Sequence, residues 1–409
     1  MATEVSRTTT SAEPESTTVP PDRRRLGLLA SGHLVVDMTV GMLSPLLPAF
    51  KKALSLSDLR TSLLLASITF SSSFIQPLFG VLADRVTATW MLLWGAGLAT
   101  ACLAAAGLVS NYWVLLMLIV VCGLGVGAYH PEAARLANHF AGTRKATGVA
   151  YFTVGGNIGF AFGPLVVAAF VPLMDQRATL LILVPGIIAC TLLALSYRRI
   201  AVPVTPYRRG EARYGSDVRG MTILVTCVSL RTWTQFGLMA IAPVFLTGER
   251  GMTDRQQGFV IFAFVITGAV GTMAGAAIAD AIGGRLMLLL TLPLVTPCIV
   301  GFILDDGALG IISLSIAGFI LMASFSATVV IGQNFMPDRL ALAAAWVLGF
   351  GAIGAATPWL PAVGAIADQW GRETALWIIA ALPIVAALVA AAIPSAPRYR
   401  IAMVRTPTR

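Results

Sequence analysis

His33 and Asp37 stand four residues apart in an apolar stretch, a spacing that puts both on one face of a helix and within reach of each other. In a partly dry cavity such a pair can take and release a proton; as a packing pair it would only fix helix contacts. Proton handling is the favoured reading, because carboxylates at membrane depth are rarely kept for packing. Arg231 interrupts a second apolar stretch, with Thr232, Thr234 and Gln235 beside it. Its guanidinium stays charged and therefore needs an anion. That anion is either Asp37 or a carboxylate or phosphonate on a substrate, and a structural ion pair and direct substrate contact stay equally open. His130-Pro131-Glu132 closes a third apolar stretch, with Arg135 one turn on. Glu132 and Arg135 read equally well as a boundary ion pair or as part of a cavity wall. The three histidines (33, 130 and 139) are scattered and lack HExxH-type spacing, so no metal site is expected. No nucleophile–base spacing suggests an enzyme.

The elements that must position these groups follow from composition. Hydrophobic residues make up 57% of the 409, and charged residues only 11%. A soluble surface needs about a quarter of its residues charged, so this chain cannot cover one. The mean hydropathy of +0.83 agrees, and the reading is a polytopic membrane protein. The net charge of +9 does not make a nucleic-acid binder, because the basic residues lie between apolar stretches, where they orient the chain in the bilayer. Cys102, Cys122, Cys190, Cys227 and Cys298 all fall in apolar stretches without a CxxC pair, which excludes a disulfide framework.

A helix needs about 20 apolar residues to cross the hydrocarbon core. That ruler gives an all-α protein of twelve transmembrane helices in two six-helix bundles. The first six cover about 27–50, 60–83, 90–109, 113–133, 146–171 and 178–197; the second six cover about 221–247, 256–279, 286–304, 309–335, 340–362 and 374–393. The expected organisation is a disordered tail over 1–25, an N-terminal bundle over 26–197, a central loop over 198–219, a C-terminal bundle over 220–393 and a basic tail over 394–409. Twenty of the 28 Lys and Arg lie on the side of the termini and seven on the other, with Arg231 inside a span. Both termini and the central loop are therefore expected in the cytoplasm, the protein sitting in the plasma (inner) membrane. Lys51, Lys52 and Arg60 are the exception, on the outer side.

Spans three, six, nine and twelve carry no ionisable residue in their interiors, whereas spans one, four, seven and ten hold nearly all the strongly polar ones. These are His33 and Asp37, His130 and Glu132, Arg231 and Gln235, and Gln333 and Asn334; Gln76 and Asn157 come from spans two and five. The period of three implies that the first helix of each triplet lines a cavity and the third faces lipid. Gly155, Gly159 and Gly163, followed by Pro164, form a smooth ridge for close helix packing. Span eleven has its own cluster in Gly349, Gly351 and Gly354. Asp84-Arg85 after span two and Asp280 with Arg285 after span eight suggest an internal repeat offset by 196 residues.

The chain resembles a twelve-helix transporter of the major facilitator superfamily. Gly80-x-x-x-Asp84-Arg85 is similar to the family's cytoplasmic loop motif, although Val86-Thr87-Ala88-Thr89 replaces its glycine and basic residues. Gly159-x-x-x-Gly163-Pro164 is similar to the span-five signature of proton-coupled antiporters, with Val167 and Ala168 where its last glycines would stand. A closer resemblance, to the fosmidomycin-resistance group of exporters, is carried by His33-Leu34-x-x-Asp37-Met38, Tyr129-His130-Pro131-Glu132-x-x-Arg135, Val154-Gly155-Gly156-Asn157-x-Gly159 and Gln333-Asn334-Phe335-Met336-Pro337. It implies proton-driven export of a small anionic or amphipathic drug by alternating access, with protons as coupling ion and no cofactor. The expected partners are a small-molecule substrate and the lipid bilayer, without nucleic acid, for a monomer. Asp37 would carry the proton and His33 tune it. Arg231, Gln235, Asn157, Gln333 and Asn334 would meet the substrate. Asp84, Arg85, His130, Glu132, Arg135, Asp280 and Arg285 would gate the cytoplasmic side. The alternatives are an uptake carrier for an organic acid or other solute, and a scaffold or sensor that moves nothing.

Overall fold

The computed structural model describes residues 19–56, 58–204, 212–395 and 401–403. The expected tail over 1–18 and parts of the central and C-terminal segments lie outside the described residues. The N-terminal half holds α1 (Arg23–Leu54), α2 (Asp58–Ser73), α3 (Gln76–Arg85), α4 (Trp90–Ala106), α5 (Tyr112–Phe140) and α6 (Lys145–Met174), then a 3-10 turn and α7 (Leu183–Ile200). The C-terminal half holds α8 (Val218–Gly248), α9 (Asp254–Ile282), α10 (Gly284–Leu304), α11 (Ala308–Ala323), α12 (Phe325–Phe335) and α13 (Leu340–Ala344). A π-helical segment (Ala345–Gly354), α14 (Ala355–Trp370) and α15 (Arg372–Ala391) complete it. Nine helical stretches among the described residues are long and apolar enough to cross a membrane, and one of them, Lys145–Ile200, runs through two expected spans.

Local chemistry sets the helix ends. The Asp22 carboxylate accepts from Arg25 N at 3.1 Å to start α1, and Asn111 accepts from Trp113 N and Val114 N to start α5. The helix α1 begins at Arg23, inside the segment expected to be a loose tail, because Asp22 caps it and Val19 O accepts from Thr143 N. Its other end reaches Leu54, so Lys51 and Lys52 belong to its last turn, where they complement the exposed carbonyls. That gives the two lysines, expected on the outer side against the general charge bias, a physical reason. Gly283 and Gly371, with φ of 88° and 89°, make the sharp turns from α9 to α10 and from α14 to α15. Span two breaks between α2 and α3 at Phe74–Ile75, where Pro77 restarts the helix.

Three expectations need correction. Span four does not close at His130-Pro131-Glu132; α5 continues through Pro131 to Phe140, so these residues lie inside a helix. The central segment is not all loop, because Ala212–Tyr214 pairs antiparallel with Ile401–Met403. Span eleven is not a uniform α-helix, since its glycine cluster lies in the π-helical segment.

The glycine ridge of α6 packs on α1. A Cβ at Gly155 would overlap Ala30 O, one at Gly159 would overlap Leu34 O, and one at Gly163 would lie 2.7 Å from Met42 N. Large apolar side chains such as Trp94, Ile187, Leu195, Leu290 and Leu388 are exposed on α4, α7, α10 and α15, the faces expected to meet lipid. The larger apolar core joins both halves through Met221, Leu224, Phe335, Leu342 and Val347, all near the end where odd-numbered spans begin. At the opposite end the C-terminal half keeps a separate core, including Phe245, Phe264, Phe302 and Trp359. The halves are thus sealed together at the end nearer the termini.

Candidate functional site

Asp37 lies on the face of α1 that also carries His33, as the four-residue spacing requires. Its Oδ2 is 3.1 Å from His33 Nε2, and its Oδ1 is 3.2 Å from His130 Nε2 on α5. The two Nε2 atoms are themselves 3.1 Å apart, with the rings edge to face. The structure therefore places His130, expected among the gating residues, beside the two residues expected to couple protons. Nothing in the spacing ties His130 to His33; the packing of α5 on α1 brings the two rings together.

The tautomers follow from the remaining partners. His33 Nδ1 is 2.9 Å from Phe152 O, and His130 Nδ1 is 2.8 Å from Val126 O. A carbonyl only accepts, so both Nδ1 atoms carry the proton. With neutral imidazoles, both Nε2 atoms then offer lone pairs toward an ionised carboxylate. Lone pairs converging at 3.1–3.2 Å repel unless a cation lies among them, and a proton is the smallest. The His33 ring stacks on Phe152 at 4.0 Å, which holds it in place. Gly156 makes the room, because a Cβ there would overlap the Asp37 carboxylate and the His33 ring. The Asp37 side chain keeps 21% exposure, against 6% and 5% for the two imidazoles.

Arg231 on α8 is 1% exposed. Its guanidinium lies over the Phe325 ring at 4.8 Å, and Nη1 donates to Leu321 O at 3.5 Å and contacts Met322 Sδ at 3.6 Å, while Nε is unpaired. The expected pair with Asp37 is not made: Asp37 is held by the histidines, and no carboxylate partners Arg231 among the described residues. Met322 also lines a cleft between the halves, together with Asn157, Phe160, Gln235, Phe264 and Gly268. Two expected substrate residues, Asn157 and Gln235, thus meet in one opening. Its walls are α6, α8, α9 and α11, not the first helix of every triplet. Asn157 also reaches across to Thr272 Oγ1 at 3.4 Å.

The other two expected substrate residues lie elsewhere. Gln333 is buried near the end of α12, accepting from Asn138 Nδ2 at 2.7 Å and donating to Ala134 O at 3.2 Å. Asn334 next to it is exposed. Gln333 therefore bolts the halves together near the termini, and Asn334 faces outward. At the same end the Asp84 carboxylate accepts from Ala341 N and Leu342 N, both at 2.9 Å, closing the first turn of α13. Asp280 does the converse, accepting from Ala146 N at 2.8 Å and Thr147 N at 2.9 Å in the first turn of α6. Glu132 and Arg135 form a bidentate pair at 2.8 Å, with Thr89 donating to Glu132 at 3.4 Å, and both are buried. Arg135 also donates to Val202 O. Arg85 is exposed, and Arg285 donates to Ala391 O at 2.8 Å within its own half. The partners Asn138, Thr272 and the first turns of α6 and α13 carried no sequence signal of their own.

The Major Facilitator Superfamily model matches residues 29–356. The Fosmidomycin resistance protein of Escherichia coli (strain K12) is 25% identical to this chain, over 89% of this chain and 91% of its own. An uncharacterized MFS-type transporter of Bacillus subtilis (strain 168), YfnC, is 26% identical over 90% and 92%. Among solved structures, the Escherichia coli fucose:proton symporter FucP superposes with a TM-score of 0.71 at 14% identity, covering 90% of this chain and 98% of that one.

Proposed function

The chain belongs to the Major Facilitator Superfamily, a transporter and not an enzyme, and from that premise we propose that it exports a small anionic or amphipathic drug-like molecule in exchange for protons. It is a multi-pass membrane protein. In the proposed cycle it sits in the plasma membrane with both termini in the cytoplasm, and its halves rock about the cleft between them. The observation that carries the reading is the Asp37–His33–His130 cluster, whose converging lone pairs need a cation and whose carboxylate is the accessible member. A proton arriving from the open end satisfies that need. The name of the Escherichia coli relative supports a drug-like substrate. Arg231, behind Met322 at the cleft, is the cation that would draw in a carboxylate or phosphonate once Met322 moves aside.

The seal near the termini leaves the cleft between the halves as the route to the opposite end, a state that alternating access passes through in the proposed cycle. The test is Asp37→Asn in proteoliposomes with an imposed pH difference. Uphill transport should be lost while substrate counterflow, which needs no coupling, persists. If the variant still drives substrate against its gradient, Asp37 is not the coupling group.

A further inference from the structure

The convergence that holds a proton is also a ligand set. Two imidazole Nε2 atoms and a carboxylate, contributed by α1 and α5, are gathered in one place, with their ligand atoms within 4.8 Å of one another. Bonds of about 2.0–2.1 Å around a tetrahedral ion place donor atoms roughly 3.3 Å apart. Here the two Nε2 atoms are 3.1 Å apart, and each lies 3.1–3.2 Å from a different oxygen of the Asp37 carboxylate, Oδ2 for His33 and Oδ1 for His130, so the carboxylate would bind an ion through both oxygens.

The surroundings match those of a metal centre. Each histidine gives its Nδ1–H to a backbone carbonyl, which fixes the ring and leaves Nε2 as the free donor; metal-bound histidines are oriented in this way. The rings are held by stacking on Phe152 and by the interior of α5. Asp37 alone is partly exposed, leaving one side of the trio for access and for a further ligand. Two imidazoles and one carboxylate suit zinc, cobalt, nickel or copper, whereas magnesium and calcium prefer all-oxygen sites. Spacing alone predicts no metal site, because His33 and His130 lie 97 residues apart and share no motif.

We propose that His33, Asp37 and His130 form a binding site for a divalent transition-metal ion of the zinc class, which excludes the proton while it is bound. The inference rests on ligand geometry alone and survives whether or not the protein exports a drug.

The experiment uses the purified full-length chain in detergent, with any affinity tag removed and stripped of metal by a chelator that is then dialysed away. Zn2+ is titrated by calorimetry and Co2+ by visible absorption. One ion per chain and the ligand-field bands of a four- or five-coordinate nitrogen–oxygen site are expected. His33→Gln, Asp37→Asn and His130→Gln should each weaken Zn2+ at least about tenfold and remove the Co2+ bands. His139→Gln, at an exposed position, should change neither. Absence of stoichiometric binding in the unmodified protein overturns the proposal without recourse to any variant. Binding that persists unchanged in all three ligand variants, with monodispersity and melting preserved, marks surface sites and overturns it equally.

Discussion

Asp84 and Asp280 perform the same act on opposite halves of the molecule. Asp84, at the end of α3, closes the first turn of α13, and Asp280, near the end of α9, closes the first turn of α6. Each carboxylate satisfies two backbone N–H groups that a helix start leaves without partners, and its charge complements the positive end of the helix. The weak repeat in the sequence is thus a reciprocal pair of clasps between halves.

Removing a capping side chain costs about 0.5–2 kcal/mol. Asp84→Ala and Asp280→Ala share no partner, so their costs should add, and the double variant should lose about 1–4 kcal/mol of the sealed form. At about 1.4 kcal/mol per factor of ten, that moves the population by about 0.7 to nearly three decades. Spin labels at the exposed positions Val86 and Arg339 should report the separation, with a longer distance gaining amplitude in each single variant and most in the double. An unchanged distance distribution in the double variant would show that the clasps do not hold the seal.

The parts of this site that were legible and those that were not divide by range. His33 with Asp37 and Glu132 with Arg135 are helical neighbours, so spacing alone joined them. The glycine ridge was legible as a close-packing face because missing side chains have one local meaning, although its partner α1 was not. The contact of His130 with Asp37 is not legible, because Pro131 reads as a helix end and the two residues lie on different helices; α5 runs through Pro131 and packs on α1 with the imidazole at Asp37. Polarity alone makes Gln333 read as a cavity residue. Only tertiary placement shows it bonded to Asn138 across the seal. The sequence leaves the anion for Arg231 open between Asp37 and a substrate group, and the guanidinium rests on an aromatic face and a carbonyl, partners that leave no charge pattern in the sequence.

Two neighbouring glycines separate function from stability. At Gly156 an added methyl would meet side-chain atoms of Asp37 and His33, of which the partly exposed carboxylate can give way; at Gly159 it would meet the Leu34 backbone, which cannot without moving α1. Gly156→Ala should therefore abolish pH-driven transport with little change in melting temperature. Gly159→Ala should destabilise by about 1–3 kcal/mol, the usual cost of overpacking. Thermal melts in detergent paired with vesicle transport check both. Equal thermal losses would mean that the cluster is as rigid as the backbone.

Arg231 offers the opposite contrast. A buried cation without a carboxylate partner is a standing cost, and replacing buried ionic groups by well-packed apolar ones is often neutral or stabilising by about 1–4 kcal/mol. Met fills a similar volume and would pack on Phe325 and Met322. Arg231→Met should thus raise or preserve the melting temperature while transport of an anionic substrate falls far more than that of a neutral one. Arg231→Lys keeps the charge but loses the planar stacking surface, and should keep part of the anion preference at lower stability. The reasoning turns on which property travels with the charge. If Arg231→Met lowers anionic and neutral transport equally and melts early, the guanidinium is a structural strut between α8, α11 and α12, and the cleft must draw its anion by other means.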